Sequence, residues 1–414
     1  MYKYSTLRAH FWKTVTTQYF VFLMLGLIYW RYLLKNNAPV EIQQIYSQFE
    51  DTSFEESTDE NNSSSANESY CKWDIFPRLR KVFNTRRQHL KDACAKLNSE
   101  RQNKTYGFLF VDDAHKLLIC PVAKIGCSFW KAVLLILSHR TGEKNPLDVL
   151  TGVHSKEYPQ LRLDPPDVQK RKMDTYTKVI FTRDPLSRLY SAYQDKFVNF
   201  NTLFWNMYGK LAVRLFRENA TRKSLSNGHD VTFEEFLRLV VLNSEMDKIN
   251  SHWVSVEQSC HPCDVDYDVI GHMETFDKDA KYVLCTSGMQ NIIQLPSEDK
   301  TANILKNVRR DTFRALSLKS TLLKVFGTEK EFLDRLVSNF MQHGYINSPV
   351  TIPLNSTSKD TFALLEKHVK LEAKHPYKLL ASKHDPSKDI PRDLLDKVMD
   401  LYKFDYELFG YKRQ

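Results

Sequence analysis

Between Leu117 and Leu137 the chain reads LLICPVAKIGCSFWKAVLLIL, an order that few folds accommodate. An apolar run of strand length, Leu117 to Val122, meets a polar loop, Ala123 to Ser128, and an apolar helical pattern follows from Phe129 to Leu137. Taken alone, the stretch reads first as a buried strand and helix joined by an ordinary turn, a common part of α/β proteins. The same order also builds a phosphate cradle. Free N–H groups at the helix start, and the positive end of its dipole, point at an anion in the loop. Gly126 permits close backbone approach, Ser128 is placed to cap the helix and donate a hydroxyl, and Lys124 brings a cation. The nucleotide-triphosphate pattern G-x-x-x-x-G-K-[ST] is absent.

A second stretch has the same grammar. Thr177 to Thr182, TKVIFT, reads as a buried strand and runs into Arg183-Asp184-Pro185. Pro185 suits the first turn of a helix and Asp184 its cap. Leu186, Leu189, Tyr190, Tyr193 and Phe197 then share one helical face. Arg183 at the strand end and Ser191 about two turns into the helix can grip a second phosphate, by a forked guanidinium and a hydroxyl.

Together these motifs resemble the Golgi carbohydrate sulfotransferases, in the branch of the chondroitin and dermatan 4-O-sulfotransferases and the HNK-1 sulfotransferase. PVAKIGCSFWK is similar to that family's 5′-phosphosulfate loop, and RDPLSRLYSAYQDKF to its 3′-phosphate segment. The likeness continues through Gly228 to Leu237, His252-Trp253, Cys260-His261-Pro262-Cys263, Tyr267 to Gly271, Glu274-Thr275 and the closing segment Leu401 to Tyr411. It covers residues 75–290 and 395–411. The sequence departs from the family pattern at Ser128, where threonine is usual, and at Ala123, where proline is usual.

The resemblance implies a P-loop-like sulfotransferase fold of the α/β class, with a central parallel sheet flanked by helices and the cofactor across the strand ends. It implies 3′-phosphoadenosine 5′-phosphosulfate as donor, with no metal required. Lys124, Ile125, Gly126, Cys127, Ser128, Phe129 and Trp130 would hold the phosphosulfate, with Lys124 on the bridging oxygen. Arg183, Asp184, Arg188 and Ser191 would hold the 3′-phosphate. His154, between the two segments, and His252 are both candidates for the base, since histidine titrates near neutrality. A glutamate such as Glu234 is an alternative. Cys127 is read as a small apolar filler.

Outside these motifs the chain reads as a membrane-tethered luminal enzyme. Tyr19 to Trp30 is continuously apolar, and with its flanks residues 14–34 approach the ~20 residues that span a bilayer. Lys3, Arg8 and Lys13 precede it, so residues 1–13 are expected in the cytosol. Residues 35–70, acidic and then rich in Asn and Ser, read as a disordered stem. Glycosylation sequons stand at Asn61, Asn62, Asn67, Asn103, Asn219 and Asn355. The chain has 7 cysteines and a formal charge of +9. In an oxidising lumen some cysteines pair, and an odd count leaves at least one free. Cys260 and Cys263 read as a structural pair in preference to a zinc site, because no second cysteine pair completes a tetrad.

The net charge suits an anionic partner, a polyanionic sugar chain, and no nucleic-acid motif is present. Trp73 to Glu100 reads as a basic amphipathic helix packed on the domain. Lys210, Arg214, Arg217, Arg222 and Lys223, among Phe204, Trp205 and Tyr208, are candidates for an acceptor groove. Residues 291–391 read as a divergent, mostly helical insert in a luminal domain spanning 71–414. There Thr328 would cap a helix and Glu331 would complete a capping box. The expected activity is sulfate transfer to a glycan hydroxyl, foremost N-acetylgalactosamine of chondroitin or dermatan. A kinase-like enzyme is disfavoured by the missing phosphate loop. A membrane-anchored glycan-binding protein with an inactive sulfotransferase fold is the reading from another class.

Overall fold

Two adjacent parallel strands set the frame. In the computed structural model, which describes residues 71, 76–97, 106–149, 152–295, 299–374 and 387–413, a four-stranded sheet runs in the order β1 (Phe110–Asp112), β2 (Leu117–Cys120), β3 (Thr177–Thr182), β4 (Val269–His272). β2, β3 and β4 are parallel, with Cys120 opposite Ile180 and Thr182 opposite His272. β1 is antiparallel to β2, so the sheet is mixed and the all-parallel expectation is corrected. The reason is local. Only Asp113 to Lys116 separates the two strands, and so short a link makes a hairpin, whereas a parallel return needs about a dozen residues or more. Strands β1 and β2 are buried throughout, which explains the unalternating apolar sequence of β2; β1 ends on the buried Asp112, whose carboxylate meets His115 Nδ1 at 2.7 Å.

The principal helices, in chain order, are α1 (Phe76–Lys96), α2 (Cys127–Leu137), α3 (Pro166–Thr175), α4 (Pro185–Tyr193), α5 (Lys210–Phe216), α6 (Phe233–Glu245), α7 (Phe276–Thr286), α8 (Lys300–Ser317), α9 (Lys319–Phe326), α10 (Glu329–Gln342), α11 (Ser358–Ala373), α12 (Arg392–Leu401) and α13 (Lys403–Phe409). α2 is buried at every position from Ala132 to Leu137 and at Phe129 and Trp130, as its apolar sequence there leads one to expect. The basic helix α1 packs on the domain. Phe83 and Leu90 are buried, and Arg86 donates to Asp279 Oδ2 at 2.7 Å and to the Ile270 carbonyl at 3.0 Å.

Among the described residues two large apolar cores result, beside a small cluster of Cys71, Phe76 and Cys285. One wraps the sheet with α2 and α7. The other is helical and joins Leu186 of α4, Phe236 of α6, Val308 of α8, Phe332 and Phe340 of α10, Leu365 of α11 and Leu394 of α12. The segment read as an insert therefore shares one core with the helix that follows β3 and cannot be a detachable appendage. Thr328 caps α10 by accepting from the Glu331 N–H, as expected, but the Glu331 carboxylate pairs with Lys223 instead of closing a capping box.

Three disulfides tie distant chain together: Cys71–Cys285, Cys94–Cys263 and Cys120–Cys260. Cys127 is free. Cys260 and Cys263 thus bond away from each other, which corrects their reading as a mutual pair and leaves neither thiolate for zinc. The expected tail, anchor and stem, and the sequons at Asn61, Asn62, Asn67 and Asn103, lie outside the described residues. Among the described residues no helix is long and apolar enough to cross a membrane. Asn219 and Asn355 are exposed.

Candidate active site

The turn after β2 is held in an unusual backbone state. Lys124 has φ 68° and Gly126 φ 72°. Left-handed residues alternating along a turn bring successive N–H groups onto one concave side, an anion-binding arrangement. α2 starts at Cys127 with Gly126 as its cap, and its first internal bond runs from the Trp130 N–H to the Gly126 carbonyl at 3.1 Å. The N–H groups of Cys127, Ser128 and Phe129 therefore have no acceptor inside the helix. Gly126 is required twice over: by its left-handed φ, and because a Cβ there would lie 2.5 Å from the Phe276 ring. Ser128 does not cap the helix, since it lies one residue inside the first turn. Its Oγ sits 3.0 Å from His154 Nε2. The side chains of Ile125, Phe129 and Trp130 are buried, so these residues face the cradle only through backbone.

The second segment follows β3. Because β2 and β3 are neighbouring and parallel, their C-terminal ends emerge together, and Arg183 Nη1 comes 3.5 Å from the Lys124 carbonyl. Burial works against the Arg183 charge, and the carboxylates of Glu274 and Asp184 support it. Asp184 caps α4, accepting from the Ser187 N–H at 2.8 Å, while its own N–H donates to Glu274 Oε1 at 3.1 Å. The Asp184 carboxylate thus shapes the segment. Ser191 lies between Arg188 and Asp195 on one helical stripe, and both of those reach the first loop.

Arg188 is the largest departure from the expected roles. It is only 2% exposed. Nε donates to the Ala123 carbonyl at 3.0 Å and Nη1 to the Val254 carbonyl at 2.6 Å. It is a brace beneath the site, tying the phosphate loop to the turn that carries His252. From the other side the same turn is held by Tyr402, which donates to the Trp253 carbonyl, and by Asp405, which accepts from Val256 N–H and Glu257 N–H at 2.8 and 2.9 Å.

After α4 the helix widens into a π turn, Gln194–Val198, a distortion that often marks function. It delivers two residues that the sequence reading had not singled out. Asp195 Oδ2 lies 3.0 Å from Lys124 Nζ and 3.1 Å from Lys196 Nζ. Burial would raise the Asp195 pKa, but the two cations outweigh it and hold the carboxyl well below its usual range. Both residues stand inside the matched segment RDPLSRLYSAYQDKF, which was the one available signal. The two histidines face this cluster. His154 is solvent-exposed as a residue, yet desolvation of its ring and the cations of Lys131, Lys196 and Lys124 push its pKa down to about 4. Burial, Lys196 and Lys124 push His252 down to about 4 as well. From α10, His343 feels the fields of Lys124 and Asp195, so the helical segment borders the site.

Other candidates sit elsewhere. Glu234 pairs with Arg238 along α6. In the proposed acceptor stretch Phe204 and Trp205 are buried, Arg217 is clamped by Glu235 and Asp230, and Lys223 pairs with Glu331. Among the described residues no group of three or more His, Cys, Asp or Glu side chains could hold a metal ion.

A profile described as the sulfotransferase family matches residues 108–342, more than half of the chain. The chain belongs to the sulfotransferase family. The match runs past Asn291 to the end of α10, farther than the motif likeness reached, in keeping with the shared helical core. Among curated relatives, carbohydrate sulfotransferase 11 of Rattus norvegicus is 31% identical over 278 residues, covering 63% of this chain and 76% of the relative. Carbohydrate sulfotransferase 9 of Homo sapiens is 30% identical over 266 residues, covering 60% and 59%. Carbohydrate sulfotransferase 14 of Danio rerio is 30% identical over 275 residues, covering 63% and 70%. Comparison with solved structures returns no match. These relatives are carbohydrate sulfotransferases, and the family implies 3′-phosphoadenosine 5′-phosphosulfate as sulfate donor. The chemistry of the donor set fits such a doubly phosphorylated anion: amides at the α2 start, Lys124 and the Ser128 hydroxyl after β2, and the Arg183 guanidinium after β3.

Proposed function

We propose that this sulfotransferase moves a sulfuryl group from 3′-phosphoadenosine 5′-phosphosulfate to a hydroxyl of N-acetylgalactosamine in a chondroitin or dermatan chain. One observation carries the reading: Lys124 and Arg183, far apart in sequence, meet at the ends of adjacent parallel strands. Lys124, Ser128 and the backbone N–H groups of the α2 start hold the 5′-phosphosulfate. Arg183 and Ser191 hold the 3′-phosphate, and Asp184 sets the turn between them. When bound, the donor supplies the sulfuryl group, whose sulfur bonds to the acceptor oxygen as its bridging S–O bond breaks and the electron pair stays on the phosphate. Lys124 stands where that negative charge grows, and stabilising developing charge with a fixed cation is a large catalytic effect. Lys196 adds a second cation, and Asp195 holds the two lysines in place. A histidine, His154 or His252, takes the proton of the acceptor hydroxyl.

The N-acetylgalactosamine acceptor follows from the resemblance to the 4-O-sulfotransferase branch, and the net charge of +9 suits a polyanionic chain. Three disulfides support an oxidising compartment. We place the catalytic domain, residues 71–414, in the Golgi lumen behind a single-pass anchor at 14–34, with the tail 1–13 in the cytosol and the stem at 35–70. Transfer of radiolabelled sulfate to a panel of desulfated glycans tests this. Label on chondroitin or dermatan, lost in Lys124→Ala and Arg183→Ala, is the expected result. Label only on other glycans overturns the acceptor, binding without transfer overturns the activity, and full transfer by both variants overturns the site.

A further inference from the structure

The two imidazoles that face the Lys124–Asp195–Lys196 cluster differ in which ring nitrogen carries the proton. The backbone N–H of His252 donates to Asn250 Oδ1 at 2.9 Å. An amide N–H can only donate, so the atom it meets is the carboxamide oxygen, and the orientation of Asn250 is fixed. That same oxygen lies 2.7 Å from His252 Nδ1. A carboxamide oxygen can only accept, so Nδ1 carries the hydrogen and Nε2 the lone pair. Asn250 Nδ2 donates to the Tyr208 hydroxyl at 2.9 Å, which secures the amide against flipping. The ring is also held edge-on against Phe204, 5.3 Å between centroids. Among the described residues Nε2 has no hydrogen-bond partner.

His154 has the opposite pattern. The Lys131 ammonium lies 3.2 Å from its Nδ1. An ammonium only donates, so Nδ1 accepts, and the hydrogen of the neutral ring is on Nε2, where it donates to Ser128 Oγ at 3.0 Å. In that tautomer both ring nitrogens are engaged and neither offers a lone pair to a substrate.

We propose that Asn250 is a positioning residue that fixes His252 in its Nδ1-protonated form, so that Nε2 receives the proton of the acceptor hydroxyl, while His154 orients Ser128 in the phosphate loop. The assignment rests on the reading of the protein as an active sulfotransferase. The acceptor O–H bond breaks, an N–H bond forms at Nε2, and the resulting imidazolium keeps its Nδ1–H bond to Asn250 Oδ1. The new positive charge is opposed by Lys196, Lys124 and His154 and favoured by Asp195.

Nitrogen spectra of the protein labelled at its histidine rings read the tautomer directly, with the His252 signals identified by their loss in His252→Asn. A hydrogen on Nδ1 and a bare Nε2 are expected, and a hydrogen on Nε2 overturns the proposal. In kinetics, Asn250→Ala is expected to lower kcat by about 10²-fold, the lower end of what a positioned proton acceptor contributes, with donor KM little changed. Asn250→Asp keeps the accepting oxygen. It is expected to restore most of kcat and to move the acid limb of the pH profile upward, because a carboxylate raises the His252 pKa. Equal losses in both variants, or wild-type kcat in Asn250→Ala, overturn the proposal. Binding of 3′-phosphoadenosine 5′-phosphate by calorimetry shows that each variant keeps a folded site. A wild-type protein that transfers no sulfate to any glycan overturns the functional reading, and the ring spectra still decide the tautomer.

Discussion

Replacing Gly126 with alanine should damage both the fold and donor binding, for reasons that can be separated. At φ 72° an L-residue carries a left-handed penalty of about 1 kcal/mol or somewhat more. The new Cβ would also stand 2.5 Å from Phe276 Cε2. That ring cannot swing freely, since it packs 5.2 Å from both Phe129 and Phe181. Overpacking of this kind costs about 1–3 kcal/mol. The total is therefore about 2–4 kcal/mol, read as a lower denaturant midpoint at unchanged slope. Affinity for 3′-phosphoadenosine 5′-phosphate, measured by calorimetry, should fall in the same variant, because the loop amides move with Gly126. In a Phe276→Leu background the steric part should disappear while the backbone part of about 1 kcal/mol remains. Gly142→Ala is the control: a Cβ there meets nothing within 4 Å, and the change should stay within about 1 kcal/mol. Wild-type stability and affinity in Gly126→Ala would refute the account of the loop.

Three other outcomes are expected. His252 and His272 have pKa values lowered from 6.5 to about 4, by burial first and by nearby cations second; the unfolded chain therefore binds protons between those values that the folded chain does not, so stability to denaturant should fall as pH drops from 6.5 toward 4, and a flat profile there would contradict the burial of these rings. The Cys120–Cys260 bond joins the end of β2 to the helix just after the His252 turn across a separation of 140 residues, so the double Cys→Ala variant should lose about 2–4 kcal/mol in equilibrium unfolding. Excising residues 300–374 should give an insoluble protein, because Leu322, Phe332, Leu336 and Phe340 share their core with Leu186 and Phe236; a soluble product that still binds donor analogue would show that the segment is dispensable.

Local features of the site were legible because their physics is local. The apolar run before Ala123, the glycine in the loop, and Asp184-Pro185 at a helix start each act through neighbouring residues, and the structure has them in those roles. The spacing between β1 and β2 also held the hairpin that makes the sheet mixed. Arg188 could be read two ways, because a guanidinium within the 3′-phosphate segment suits a ligand as well as two backbone carbonyls. Only the approach of Ala123 and Val254 decides between them. Asp195 and Lys196 were missed because a π turn changes the angular step per residue and so moves side chains off the faces that a 3.6-residue period assigns.

From contiguous residues alone follow the two strand–turn–helix units and the likeness to the family. Tertiary structure alone decided that β2 and β3 lie side by side, which cysteines bond, and that Arg188 ties the phosphate loop to the His252 turn. It also decided that residues 300–374 complete a core begun at Leu186. Such contacts depend on the burial of apolar surface drawn from segments far apart in the chain, and a local pattern carries no record of which distant surface will cover it.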